Sequence, residues 1–463
     1  MARPSPHAVP FTRPQYQEAQ GQAENRLPEP SLHVVIVIDH AHVNGGQAKV
    51  AIDSALGLRA RGHRVTFFAS VGPADPRLAE AGVHVVCLDQ DDIETATSKL
   101  AFAAQVMWNA PAATRLREVL AGCYETDTVV HVHGWAKALS ASIGPVLARA
   151  GLPTVYTMHE FFLVCPNGGF YDYPAQAICH RKPMSLACVT RNCDARSYPR
   201  KALRLVRHAT LGLPKGLRNA MRHVILISDL QQSVSAPYFP SGTVFHRVDN
   251  PISIPDLGPK PDSEPLGEAI FVGRLSTEKG APIFAEAARQ AGVRAVFVGG
   301  GPSEAELRAR YPEAAFLGWK SPSEVRALMR QARALVFPSV WYEGQPLTVY
   351  ESLAVGTPVI VSDACAGREA VEDGDNGFWF RSGDPASLAQ HLTALSDDAL
   401  ARRMSRAAHA RYWAAPLTMD RHLDRLAEVY AAVLRDGAPA RSRVAPVASN
   451  PGRARATGVT VSR

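Results

Sequence analysis

Glu343 and Glu351 stand with seven residues between them in the stretch ALVFPSVWYEGQPLTVYESLAVGTPVIVSD, residues 334–363. Carboxylates are good acceptors for paired sugar hydroxyls, and the residues between these two open a helix whose free N–H groups offer a seat for an anion. A ligand with a phosphate in its middle and hydroxyl-rich groups on both sides, as in a nucleotide sugar, fits that pattern. Gly344, Leu347 and Thr348 occupy the loop and the helix start, and they join the two acids as candidate substrate contacts. Taken alone, two acids beside a helix start are equally explained as surface groups that favour its dipole.

The elements that must position these residues are readable around them. Ala334-Leu335-Val336-Phe337 is too short for a helix and is closed by Pro338, so it reads as a buried parallel strand. A loop over Val340–Gln345 follows. The next helix is predicted to begin at Pro346, where a missing N–H does no harm, and to stop at Gly356 with Pro358 beyond. Pro358–Val361 is the following strand. In open sheets of this kind ligands lie at the carboxyl ends of the strands. Phe271-Val272-Gly273-Arg274-Leu275-Ser276-Thr277-Glu278-Lys279-Gly280 also follows a strand and belongs at the same edge. Breaking a sugar–phosphate bond leaves new negative charge on a diphosphate, which two fixed cations such as Arg274 and Lys279 would stabilise. Asn44-Gly45-Gly46 follows the first strand of the chain, where glycine lets a backbone approach a phosphate and open a helix onto it. Gly299-Gly300-Gly301-Pro302 lacks the spacing of a dinucleotide fingerprint and reads as a tight turn.

The spacing E-x7-E followed by A-x-G-x-P-V-I, together with G-R-x-x-x-x-K-G over residues 273–280, resembles the signature of the retaining family-four glycosyltransferases (glycosyl transferases group 1). These have the two-domain GT-B architecture. The resemblance implies two Rossmann-like, doubly wound α/β domains with a cleft between them. It implies that Arg274 and Lys279 hold the donor diphosphate and that Gly45 and Gly46 form the glycine loop of the first domain. It implies a hexosyltransferase that moves a sugar from a nucleotide-sugar donor to a glycan or lipid-linked acceptor with retention, as in surface polysaccharide biosynthesis. His133 is the match for a cleft histidine near the transferred sugar and, with Glu343, is the catalytic candidate. His159, followed by Glu160, is the candidate on the acceptor side. Base contacts are expected around Gly318-Trp319-Lys320, largely through backbone. Front-face attack with the leaving phosphate as base is the family's expected course, and no covalent nucleophile is nominated. No cofactor is expected for catalysis. No metal is expected at the diphosphate, because cations and a helix start supply the charge and no D-x-D motif is placed beside it. The rival readings are a GT-B-like sugar-nucleotide epimerase or hydrolase, and a non-catalytic sugar-nucleotide binding protein.

Two groups of metal-capable residues stand outside that pattern. His131 and His133 point to one side of a strand, as zinc ligands can, but no acids that would complete such a site are evident. Cys165, Cys179, Cys188 and Cys193 fall within 29 residues of a segment with few regular signals. They allow either a structural zinc site or unligated buried thiols, and their spacings are not those of a paired C-x2-C ribbon.

The remainder of the chain sets bounds. Its 463 residues are 46% apolar and 20% charged, enough for two or three full cores. Five of the seven net positive charges are arginines of the last 27 residues (437–463), so the basic balance is no argument for nucleic acid. Residues 1–30 read as disordered, 31–249 as the acceptor domain with a cysteine-rich insert over 160–195, and 250–267 as a linker. Residues 268–415 read as the donor domain, 416–436 as a helix that the resemblance sends back to the first domain, and 437–463 as a flexible basic tail. No run approaches a membrane span and the N-terminus lacks the apolar core of a signal peptide, so a cytoplasmic location is expected. Between Arg196 and Arg222 there is no acid, and Arg200, Lys201, Arg204, Arg207 and His208 share one side of a helical wheel. That stripe is either a solvated face or a patch docking on anionic membrane beside a lipid-linked acceptor.

Overall fold

Val34, Val35, Ile36 and Val37 are each fully buried at the centre of β1 (His33–His40), as a run with no polar face must be. In the computed structural model, which describes residues 31–92, 96 and 98–437, this strand is an inner member of a seven-stranded sheet. Its other members are β2 (Arg64–Val71), β3 (His84–Cys87), β4 (Thr128–Val132), β5 (Thr154–Met158), β8 (His223–Leu226) and β9 (Val244–Arg247). They lie in the order β3-β2-β1-β4-β5-β8-β9, every pair parallel. A two-stranded antiparallel hairpin, β6 (Tyr171–Asp172) with β7 (Ala177–Ile178), sits inside the cysteine-rich insert. The second sheet has six parallel strands: β10 (Ala269–Val272), β11 (Ala295–Val298), β12 (Ala315–Phe316), β13 (Ala334–Phe337), β14 (Val359–Ser362) and β15 (Gly377–Phe380). Their order is β12-β11-β10-β13-β14-β15.

Strand order reverses between β1 and β4 in one sheet and between β10 and β13 in the other. At such a switch point adjacent loops diverge to opposite faces and open a crevice at the carboxyl edge. The glycine loop follows β1 and His133 follows β4. Arg274 and Lys279 follow β10, and Glu343 follows β13. The two switch points therefore gather the candidate residues.

The helix Met419–Gly437 lays Leu423, Leu426, Val429, Tyr430 and Val433 into the same core as Val34, Ile36 and Val129 of the first sheet. Its His422 bonds Ser54 at 3.0 Å and the Asp249 carbonyl at 2.8 Å. No helix of the described residues is long and apolar enough to cross a membrane. The expectations for residues 1–30 and for 438–463 lie outside the described residues.

Local hydrogen bonds set the helix limits of the first domain. Residues 99–121 form two helices, Lys99–Met107 and Ala110–Ala121, because Asn109 caps the second with its side chain on the Ala112 N–H and Pro111 follows. The helix after β4 starts only at Ile143. The backbone N–H groups of Lys137, Ala138 and Leu139 instead donate to the buried Asp39 carboxylate, at 2.8–3.0 Å.

The basic stripe is the largest correction. In the helix Tyr198–Leu211 most of it turns inward: Lys201, Arg207 and His208 are buried, Arg204 is half-buried and Arg200 alone is exposed, while Leu203 and Val206 are half exposed. Lys201 donates to the carbonyls of Cys188 and Arg191, and Arg204 pairs with Asp194 at 3.1 Å. Arg207 donates to the Ala136 carbonyl at 2.6 Å and lies over Phe162, 5.1 Å from the ring centre. Burial brings its guanidinium down to about 10. Those bases are the internal fasteners of the insert, so they cannot form a membrane-facing stripe. Replacing Lys201 by Met should then destabilise the fold by about 1–3 kcal/mol, since two carbonyls lose their donor. Urea unfolding would show it, and an unchanged midpoint would contradict the assignment.

Candidate functional site

Three donors converge on one carboxylate oxygen of Glu343. Lys279 Nζ reaches Oε1 at 2.8 Å, and Ser339 Oγ and Trp341 Nε1 each reach it at 2.7 Å. Oε2 has no hydrogen-bond partner among the described residues. Burial alone would raise this carboxyl, but Lys279, with Ser339 and Trp341, holds it below the usual range. Glu343 is thus a fixed anion with one oxygen satisfied by protein and one left for a ligand hydroxyl.

The loops after β10 and β13 are stitched to each other. Val340 N and Ser339 Oγ donate to the Glu278 carbonyl at 3.0 and 3.3 Å. Gly280 adopts φ 74° where a Cβ would collide with the Pro338 carbonyl, so the close approach requires glycine. Arg274 bonds the buried Glu278 carboxylate and keeps much of its side chain in solvent. Lys279 lies 5.3 Å from the Trp341 ring centre.

The helix expected from Pro346 runs over Leu347–Ala354 with Pro346 as its cap residue, and no side chain caps it. The N–H groups of Leu347 and Thr348 are thereby left for an external acceptor. Gly45 likewise caps the helix Gly46–Ala60 without a side-chain bond. A Cβ on Gly46 would stand 3.9 Å from Leu347 Cδ1, so helix starts of the two sheets face one another. Glu351 lies in the body of its helix. Burial raises its carboxyl, against the pull of Lys49 from the first sheet's helix and of Arg326. Gly344 meets the first domain directly: a Cβ there would be 2.9 Å from Ile227 Cδ1 and 3.4 Å from the His159 carbonyl.

His133 is buried, with Nδ1 3.1 Å from His159 Nε2 and Nε2 without a partner. Its carbonyl accepts from Gln47 beside the glycine loop at 2.5 Å. Burial holds both imidazoles neutral, His159 down to about 3 and His133 well below its ordinary value. His131 is engaged on both nitrogens, by Tyr430 at 2.8 Å and Thr157 at 2.7 Å, so it is a structural residue with no lone pair for a metal. His159, expected on the acceptor side, is placed against His133 and Gly344. Glu160 instead borders a cavity of about 140 Å³ at the end of β1, with Asp39, His40, Asn44, Gly46 and Lys137. Lys137 and Glu160 pair across it at 3.6 Å. A larger cavity, about 300 Å³, opens at the amino-terminal ends of β10 and β13, away from every residue above.

The four cysteines do not fit a zinc site. All are free thiols, and among the described residues no three or more His, Cys, Asp or Glu side chains stand where they could hold one metal ion. Lys201 lies among them, donating to the Cys188 carbonyl. Burial raises the Cys193 thiol, and Lys201 opposes that shift. Elemental analysis of protein purified without chelator should therefore find no stoichiometric zinc or iron, and Cys188→Ser should leave metal content unchanged. One equivalent of either metal would contradict this.

Sequence reasoning missed Ser339 and Trp341 as the donors on Glu343, Glu278 as the partner of Arg274, and Asp39. It also missed Glu369, which accepts the N–H groups of Asp229 and Leu230 at 3.1 and 2.8 Å and pairs with Arg247 at 3.3 Å, joining the two domains. Ser339, Trp341 and Glu278 sit inside the motif segments, so a polar residue beside a motif acid was the available signal. Glu369 has none.

Two family models match the chain. Residues 45–222 match the glycosyl transferase 4-like domain, and residues 267–398 match glycosyl transferases group 1. A phosphatidyl-myo-inositol mannosyltransferase of Mycobacterium leprae is 32% identical over 160 residues, 32% of this chain and 42% of that protein. The matched stretches span between 23% and 43% of the length of the curated relatives. Among solved structures, Anabaena HepE in complex with UDP and glucose aligns with a TM-score of 0.57 at 17% identity, covering 87% of this chain and 100% of that one. Sucrose-phosphate synthase of Thermosynechococcus elongatus aligns with a TM-score of 0.61 at 17% identity, over 88% and 100%. The fold is GT-B, and the family matches support a glycosyltransferase.

Proposed function

We propose that this chain is a GT-B glycosyltransferase that takes a hexose from a nucleotide-sugar donor and places it on a glycan or lipid-linked acceptor, with retention at the anomeric carbon. The observation that carries the reading is the meeting of Arg274, Lys279, Glu343 and two uncapped helix starts at the facing switch points of both sheets. Cations and helix starts suit a leaving diphosphate, and the free oxygen of Glu343 suits a hydroxyl of the transferred sugar. Glu351, a turn further along the helix Leu347–Ala354, is suited to accept from the hydroxyls of a ribose. His133, neutral and with a spare nitrogen, is suited to bond a sugar hydroxyl but not to act as a cation. UDP and glucose in the HepE neighbour favour a uridine donor. No step requires a cofactor.

The acceptor belongs on the first domain, at the cavity between Asp39, Lys137 and Glu160. If the acceptor is lipid-linked, the membrane contact falls to the outward residues of the insert region, Arg196, Arg200, Lys215, Leu203 and Val206, in place of the buried bases. Sedimentation with anionic liposomes at low salt, weakened in Leu203→Asp, is the expected result.

Incubation with a panel of UDP-, GDP- and ADP-sugars, with and without saccharide and polyprenyl-linked acceptors, tests the reading. Release of nucleoside diphosphate that depends on acceptor is expected. Equal turnover without acceptor would point to a hydrolase, and a changed sugar with no release to an epimerase.

A further inference from the structure

The cysteine-rich insert belongs to the first domain by sequence, yet it packs on the loop of the second domain that carries Glu343. A Cβ on Gly169 would stand 3.1 Å from the Trp341 ring, and Phe161 and Phe170 both pack on Tyr342, with ring centres 6.3 and 6.4 Å away. Tyr171 sets its ring edge-on to Trp341 with centres 6.4 Å apart. Trp341 is the residue whose indole N–H holds Glu343 and whose face lies beside Lys279. The insert therefore reaches the donor loops through one aromatic contact surface.

Tyr171 is 1% exposed and its hydroxyl has no hydrogen-bond partner. Folded proteins rarely leave a buried hydroxyl unpaired, and a ligand, an ordered water or an ion is what completes it. Burial, then the nearby Glu278 carboxylate of the Arg274–Lys279 segment, push the phenol up, so it stays a protonated donor. The hairpin that carries it is fixed. Asp172 pairs with Arg191 at 2.7 Å and Arg181 at 3.2 Å, and Asn167 donates to the Tyr171 carbonyl at 3.3 Å. Ser276, inside the Arg274–Lys279 segment, is a second buried hydroxyl without a partner.

From this geometry, and resting on the donor-site reading above, we infer that the insert supplies a donor-binding residue: the Tyr171 hydroxyl donates a hydrogen bond to a phosphate oxygen of the nucleoside diphosphate held by Arg274 and Lys279. A phosphate oxygen is an acceptor only, and a buried phenol that cannot ionise is a donor, so the two are complementary. The insert is then part of the donor site, and the hairpin's ion pairs serve to hold one hydroxyl in place.

Tyr171→Phe removes that oxygen alone. Calorimetric titration with UDP, GDP and ADP, on the full chain, identifies the nucleoside diphosphate bound best by wild type. That nucleotide should bind about ten times more weakly to Tyr171→Phe, the loss of one hydrogen bond to a charged group. The melting temperature without nucleotide should stay the same or rise, because the hydroxyl has no partner to lose in the free protein. Tyr198→Phe makes the same change on the outer side of the insert, where the hydroxyl bonds the Val189 carbonyl at 2.8 Å, and should bind as wild type does. Equal affinity in Tyr171→Phe and wild type overturns the inference and leaves the donor site standing. A fall in melting temperature together with affinity also overturns it, since the hydroxyl would then have a structural partner. If wild type binds none of the three nucleotides, the donor-site reading fails and takes this inference with it.

Discussion

Glu343→Gln should lower turnover by about 10²- to 10³-fold while changing nucleoside diphosphate affinity little, the scale seen when one preorganised polar contact is removed from an active site. The amide is nearly the same size, so the loop keeps its packing on Trp341 and Ser339. What it loses is charge. Oε1 sits at the centre of three donors, one of them the Lys279 ammonium, and Oε2 is the oxygen with no partner among the described residues. A sugar hydroxyl bonded there meets a full negative charge in wild type and an amide in the variant, and the difference grows as positive charge develops on the sugar ring. Steady-state kinetics with saturating donor would show the loss in kcat. Wild-type kcat in the glutamine variant would mean that Glu343 only holds Lys279 in place.

The double variant Arg274→Ala, Lys279→Ala should lose nucleoside diphosphate binding by about 10²- to 10⁴-fold, each charge-assisted contact being worth roughly 1.5–3 kcal/mol. The two single variants should differ in what else they disturb. Arg274→Ala strands the buried Glu278 carboxylate, so it should lower the melting temperature as well as the affinity. Lys279→Ala removes the chief cation that keeps the Glu343 carboxyl below its usual range, and the burial that raises it is then opposed only by Ser339 and Trp341. The sign follows: Glu343 protonates at higher pH in that variant, so the acid limb of its kcat profile should move upward. An unmoved acid limb would argue that Glu343 is not the group being titrated.

Much of the scaffold was legible because buried parallel strands leave a simple mark. Thr128–Val132, Ala269–Val272, Ala295–Val298 and Ala334–Phe337 are short apolar runs with turn residues beside them, and they are strands over those very residues. Because ligands lie at the carboxyl ends of such strands, the cations and the acid of the second-domain motifs could be placed at one edge from the sequence, while the switch points appear only in the strand order. What did not show were strands with mixed faces. β9 is partly exposed over Val244–Arg247 and β15 carries the exposed Trp379, so neither stands out as a buried run.

The basic helix was misread for a different reason. A helical wheel sorts residues into a polar and an apolar side, and the polar side is usually the wet one. Here the insert brings Asp194, Asn167 and the carbonyls of Cys188 and Arg191 to meet it, and contacts formed across the fold reverse the rule. The same limit hid the pairing of His133 with His159 and the clasp of Glu369 on the Asp229 helix, which join residues 26 and 140 positions apart. Pairings of that kind are set by topology, and no local spacing records them.

The central claim is that a nucleoside diphosphate is held between the two domains by the residues after β10 and β13. Its most direct test is a calorimetric titration of wild type and of the Arg274→Ala, Lys279→Ala double variant with UDP, GDP and ADP. The account predicts one-to-one binding of at least one nucleotide by wild type, abolished or weakened at least about a hundredfold in the double variant. Equal binding by both proteins, or no binding by wild type, would contradict it.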